Sequence, residues 1–189
     1  MSFQVAINGY GRIGQSVLRA IYSPPFRSKF KIVAINDLAD IETLTYLTRY
    51  DTTHGRFPCP LRFDRDHLFI GDDRITIINE PNPARHPWKG LDIDLIFECS
   101  GSFEDRATAE LHLAAGAKRL LLSHPATAKV DATIIYGYNH HLVQADHRII
   151  SNASCTTNCI VPILDILDRQ FGIACGVTTT IHSAMNDQP

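Results

Sequence analysis

Short apolar runs of the kind that fill a sheet buried on both faces recur along this chain, and stretches with helical spacing separate them. The clearest are FQVAIN (3–8), FKIVAIN (30–36), DLIFEC (94–99) and RLLLS (119–123), with ATIIYG (132–137) and RIIS (148–151) extending the series. Between them, residues 11–22, 40–50 and 104–116 place apolar side chains at helical intervals, and Gly116 stands where it can cap the last of these helices. Strand and helix in alternation predict an α/β fold, a doubly wound parallel sheet with helices on both faces. The stretch from Asp51 to Trp88 breaks the rhythm with prolines and the short alternating segments HLFIG and RITII, which predict a small antiparallel insertion. A second change comes at Ser151, where SNASCTTNC begins. The expected division is a first domain over residues 1–151 and the beginning of an α+β domain over 152–189.

Size and charge narrow the functional classes. A chain of 189 residues, 44% hydrophobic, can bury one good core and part of a second. The net charge of -2 is spread through mixed-sign segments without a basic run, so no nucleic-acid partner is expected. No apolar run approaches a membrane span, and a strand already begins at Phe3, so a cytoplasmic chain without a signal peptide or membrane partner is expected. Five cysteines at irregular positions make neither an even disulfide framework nor a C-x-x-C pair, and no metal is expected. Nor is there an internal repeat.

Gly9-Tyr10-Gly11-Arg12-Ile13-Gly14 follows the first predicted strand and opens the first predicted helix. In that setting a glycine pattern of this spacing marks a dinucleotide site of the Rossmann type. Gly9 permits the tight turn, Gly11 lets the backbone approach a pyrophosphate, and Gly14 lets helix and strand pack closely. The helix N-terminus offers free N–H groups and a positive dipole end. The second strand ends in Ala34-Ile35-Asn36-Asp37, and a carboxylate there can accept from the adenosine ribose while repelling a 2′-phosphate. NAD is therefore the expected cofactor, although Asp37 could also serve simply to cap the turn that follows.

Cys155 precedes an apolar run at helical spacing, Ile160, Ile163, Leu164 and Leu167, and so falls at a helix N-terminus. A thiol at that position is acidified by the dipole and the unpaired N–H groups, which can also hydrogen-bond an oxyanion formed on a carbonyl. His182 ends GVTTTIH, a β-branched run that reads as a strand delivering its last side chain to a site. Among nine histidines it is one candidate base for Cys155, and His140, His141 and His147 read as solvated loop residues.

Taken together and in this order, NGYGRIG, AIND, YDTTHGRF, SNASCTTNC and TTTIH resemble the glyceraldehyde-3-phosphate dehydrogenase superfamily over the whole length. The resemblance implies that Cys155 is the nucleophile, that His182 activates it, and that the aldehyde of a small aldose phosphate is oxidised by NAD through a thioester. It implies further that Arg12, Ile13, Asp37 and Ser123 belong to the cofactor site and that Ser154, Cys155 and Thr156 line the substrate pocket. A homotetramer is implied as well, and so is a longer chain carrying further catalytic residues beyond Pro189. Three segments, LLSHPA (121–126), HRIISNASC (147–155) and HSAMNDQ (182–188), lean toward the branch that oxidises a four-carbon aldose phosphate and releases its thioester to water. In the last of them Met185 stands where the glycolytic branch commonly has a threonine, which replaces a hydroxyl donor to an anion by a thioether. Pro81 stands where relatives tend to have an arginine beside the cofactor. Two other readings stay open at this point, a phosphorylating dehydrogenase of the glycolytic branch and a dinucleotide-binding module without turnover.

Overall fold

A computed structural model describes residues 2–103, 105–126 and 129–182. The elements run β1 (Phe3–Asn8), α1 (Arg12–Ile21), β2 (Phe30–Asn36), α2 (Ile41–Arg49), β3 (Tyr50–Asp51), β4 (Gly55–Arg56), β5 (Leu61–Phe63), β6 (His67–Ile70) and β7 (Asp73–Ile78). They continue with β8 (Leu95–Glu98), α3 (Arg106–Ala114), β9 (Leu120–Leu122), β10 (Ala132–Thr133), β11 (Ile149–Ser151) and α4 (Cys155–Phe171). The main sheet has the order β10-β11-β9-β8-β1-β2-β7-β6-β5 and is parallel from β10 through β7. This is the Rossmann-type architecture the alternation predicts.

Both faces of the sheet are buried, and the alternation of side chains along each strand divides the core in two. Val5, Ile7, Ile32 and Ile35 point to the face covered by Leu18 and Ile21 of α1 and Leu44 of α2. Ala6, Ala34, Ile96, Leu120, Leu122 and Ile149 point to the other, which Ala109 of α3 and Trp88 cover. Each fully buried Leu or Ile contributes about 1.5–3 kcal/mol relative to exposure. Caps fix the helix ends: Asp40 and Asp105 accept from the N–H groups of Thr43 and Thr108, and Gly116 follows α3 with φ 115°.

Three expectations need correction. The stretch 51–88 is not a separate insertion: β5 and β6 form an antiparallel meander, but β7 joins β2 in parallel and so extends the main sheet. Only Ala132–Thr133 of ATIIYG is strand, because the Asn139 side chain accepts from Ile135 N–H and donates to Thr133 C=O, folding the following residues into a turn. GVTTTIH forms no strand at all. Its side chains lie in water, with Val177 and Ile181 almost fully exposed, and β-branched composition stabilises a strand only when a ladder partner and a packing surface are supplied. Among the described residues no helix is long and apolar enough to cross a membrane.

Candidate active site

The chain passes from β1 to β2 and β7 on one side and then returns to place β8 on the other side of β1. Strand order thus reverses beside β1, and in open α/β sheets ligands bind in the crevice beyond the carboxyl ends of the strands at such a point. The ends are aligned with unusual economy: Ser151, Leu122, Glu98, Asn8, Asn36 and Ile78, each the last or near-last residue of its strand, share one register row across β11, β9, β8, β1, β2 and β7. The loops that leave this row therefore emerge along one edge of the sheet.

A cleft of about 470 Å³ opens there, lined by Gly9, Gly11, Asp37, Leu38, Glu80, Pro81, Cys99, Ser100 and Phe103 among others. Gly9 has φ 83°, and a Cβ added to it would meet the Ser100 backbone at 2.4 Å. A Cβ on Gly14 would stand 2.3 Å from the Gly9 carbonyl oxygen, so both positions exclude any side chain. Gly11 is different, since nothing lies within 4 Å of its missing side chain. Helix α1 also differs from its three companions: α2, α3 and α4 have side-chain caps at Asp40, Asp105 and Ser154, whereas α1 begins at Gly11 with none. Its first-turn N–H groups, which have no intrahelical partner, face outward beside an open approach. That is the arrangement a pyrophosphate fits.

The sequence-predicted cofactor residues divide by what they offer. Arg12 and Ile13 contribute first-turn N–H groups; the Arg12 guanidinium itself is committed to Asp51 at 2.6 Å. Asp37 lies in the cleft wall, where its carboxylate accepts from Tyr10 N–H at 2.6 Å and from Ala39 N–H at 2.9 Å. It therefore holds the glycine turn and the turn after β2 together, as the turn-capping reading has it, and faces the cleft that the cofactor reading requires. Pro81 lines the cleft too, offering neither charge nor N–H. Ser123 sits at the end of β9, its N–H donating to Glu98 C=O and its side chain hydrogen-bonded to Cys99, and it is outside the cleft lining.

At the β11 end the chain turns sharply. Ala153 has φ 56°, an uncommon conformation for a residue with a Cβ, and it is held by Ser151 Oγ, which accepts from its N–H at 3.1 Å and donates to His124 C=O. Ser154 Oγ then caps α4 by accepting from Thr157 N–H, and Asn158 Nδ2 donates back to Asn152 and Ser154 carbonyls. Most of the polar residues in SNASCTTN thus build the turn, Ser154 included. Their product is Cys155 at the first position of α4.

His182 Nε2 lies 3.2 Å from Cys155 Sγ, so the structure brings together the two residues that the sequence reading paired. The hydrogen bond to His182 holds the thiol below its usual range and outweighs burial, which raises it, and Thr156 lowers it further through its side chain and N–H. Cys99 shows the opposite case: burial pushes its thiol up to about 12. Among the described residues no group of three His, Cys, Asp or Glu is arranged to hold a metal ion. Met185 lies outside the described residues.

A sheet reversal with a glycine turn, an uncapped helix and a carboxylate at the end of the second strand defines a Rossmann-type NAD-binding domain, here followed by a helix that begins with a histidine-paired cysteine. Comparison with family models agrees: the NAD binding domain of glyceraldehyde 3-phosphate dehydrogenase matches residues 3–106, and the C-terminal domain of the same enzyme matches residues 154–189. The chain belongs to the glyceraldehyde-3-phosphate dehydrogenase family, whose two domains support NAD-dependent oxidation of aldehyde phosphates.

One set of residues escaped the sequence reading. Asn8 and Asn36, which line the cleft, and Glu98 and His112, which lie behind them, are buried polar groups. The signal available was a polar residue closing each strand run, FQVAIN, FKIVAIN and LIFE, where strands buried on both faces are otherwise apolar.

Proposed function

We propose that the protein is an aldose-phosphate dehydrogenase of the erythrose-4-phosphate type, which oxidises D-erythrose 4-phosphate to 4-phosphoerythronate with NAD. The observation that carries the chemistry is the Cys155–His182 contact at the head of α4. Cys155 thiolate adds to the aldehyde carbon, forming the C–S bond, and His182 exchanges the proton on the resulting hydroxyl. First-turn N–H groups of α4 stabilise negative charge on that oxygen. NAD, held by the glycine turn of the cleft, would supply the hydride acceptor for the aldehyde carbon. The acyl group is left on Cys155 as a thioester, and water, with His182 taking its proton, releases the acid and restores the thiol.

Met185 in place of a hydroxyl donor supports water over inorganic phosphate as the acyl acceptor. We further propose a cytoplasmic homotetramer, as the family resemblance implies; a monomer mass by light scattering would overturn the assembly.

The test is a side-by-side oxidation of erythrose 4-phosphate and glyceraldehyde 3-phosphate, with and without inorganic phosphate. Faster turnover of the four-carbon substrate without phosphate is expected. Absolute dependence on phosphate, or preference for the three-carbon substrate, would assign the protein to the phosphorylating branch.

A further inference from the structure

Beneath the NAD cleft runs a continuous chain of side-chain hydrogen bonds. Glu80 N–H donates to Asn36 Oδ1, Asn36 Nδ2 to Asn8 Oδ1, and Asn8 Nδ2 to Glu98 Oε2. On the other side Glu98 Oε1 accepts from both the N–H and the hydroxyl of Ser100, and Ser100 Oγ accepts from Ser102 N–H. Glu80 and Pro81 form one wall of the cleft, and Ser100, Ser102 and Phe103 form part of another. One chain of bonds therefore joins the two walls, with the Glu98 carboxylate at its centre.

Glu98 is fully buried, and a buried carboxylate is retained only when donors meet its lone pairs. Donors meet it on every side. Behind it, away from the cleft, His112 Nε2 lies 3.2 Å from Oε2, short of hydrogen-bond alignment but within electrostatic contact. The indole N–H of Trp88 can only donate, so His112 Nδ1, 3.2 Å away, must accept, and the ring proton is left on Nε2 facing the carboxylate. His112 is itself fully buried and lies outside the cleft lining.

Resting on the assignment of this cleft to NAD, we infer that Glu98, braced by His112, is a positioning residue that fixes the separation of the cleft walls through Asn8 and Ser100. The carboxylate is required rather than an amide. Gln in its place would aim an N–H at either Asn8 Nδ2 or the Ser100 donors, and one of the two walls would lose its tether. It touches the cofactor only through these neighbours.

Calorimetric titration of NAD, with thermal unfolding measured alongside, tests the inference. Glu98→Gln and His112→Leu should each weaken NAD binding about tenfold, on the order of one lost buried hydrogen bond. His112→Gln, which keeps a donor toward Glu98, should recover most of the affinity. Ser100→Ala should weaken NAD several-fold and Ser100→Thr should not; in the Glu98→Gln background Ser100→Ala should add little, whereas loss of a direct cofactor contact would add in full. Should Glu98→Gln or His112→Leu fail to fold, the Ser100 pair and His112→Gln still decide: unchanged affinity in Ser100→Ala overturns the inference. So do lowered unfolding midpoints with NAD affinity intact, and so does full additivity. A wild-type protein that does not bind NAD would refute the cleft assignment itself, which separates that failure from this one.

Discussion

At Cys155 the quantity that governs chemistry is the fraction of thiolate, and the structure fixes it through the 3.2 Å contact with His182 and the head of α4. Cys155, Cys159 and Cys175 are all exposed, so access does not distinguish them. A thiol held below its usual range keeps a larger fraction ionised at and below neutral pH than an ordinary thiol near 8.5 does. Iodoacetamide labelling at pH 6–7 with peptide mapping should find Cys155 modified about tenfold faster than Cys159 or Cys175. His182→Ala should move its rate profile up toward the ordinary thiol range. Equal labelling of the three would leave no special activation to explain. Cofactor choice is proposed to rest on another residue, Asp37. Because its carboxylate also accepts from Tyr10 and Ala39 N–H groups, Asp37→Ala would loosen the glycine turn as well as remove charge. Asp37→Asn keeps one of the two acceptors and removes the charge, while its NH2 faces the other backbone donor. It should weaken NAD binding less than Asp37→Ala and narrow the preference for NAD over NADP by about tenfold or more, measured by titration with both nucleotides. Equal wild-type binding of the two would leave Asp37 with the turn role alone.

Elements are joined in this fold by a few well-satisfied carboxylates, and Asp131 is the clearest case. Its Oδ2 accepts from the N–H groups of Arg148 and Ile149 at the start of β11, and its Oδ1 accepts from Arg106 at 2.8 Å at the start of α3. Burial pushes this carboxyl up, but the two backbone donors and the Arg106 guanidinium outweigh it and bring it down to about 2. Since an unfolded aspartate titrates near 3.9, the stabilisation is fully present above about pH 4 and is lost as pH falls through about 2. Acid titration followed by circular dichroism should show that loss, and Asp131→Asn should flatten this part of the profile while costing about 1–2 kcal/mol at neutral pH. A variant with the wild-type acid profile would mean that Asp131 does not link α3 to β11 energetically.

Over the whole molecule, burial is concentrated in the sheet and thins out after it. The two halves of the core flank β1 and β2, whereas α4 buries no residue and exposes Ile163, Ile166 and Phe171. NAD bound against the loops along one edge of the sheet, as proposed, should stabilise the sheet region by its binding free energy. Trp88, the single tryptophan, is fully buried against α3 and reports on that region. At NAD concentrations about a hundredfold above Kd, its unfolding should be stabilised by about 2.7 kcal/mol. A fluorescence melt with and without NAD would check it. An unmoved midpoint at saturating NAD would mean that the described sheet does not carry the cofactor site.

Local chemistry decided much of this before any tertiary contact. FQVAIN and FKIVAIN could bury both faces of a strand only in a covered parallel sheet, and the glycine spacing after β1 specifies a turn that no residue with a Cβ could make. The position of Cys155 at a helix start was legible for the same reason: Ser154 as a cap and the apolar spacing after it are features of a few adjacent residues. Tertiary structure decided whatever depended on a partner distant in sequence. GVTTTIH has strand composition, yet a strand needs a ladder neighbour, and among the described residues none pairs with it. RITII could be read as part of an insertion until β2 was seen to accept it as a parallel neighbour. Glu98 and His112, fourteen residues apart and on different elements, gave no spacing signal, because the reason for a buried charge is its set of donors. Only the register that aligns Asn36, Asn8 and Glu98 in one row assembles that set.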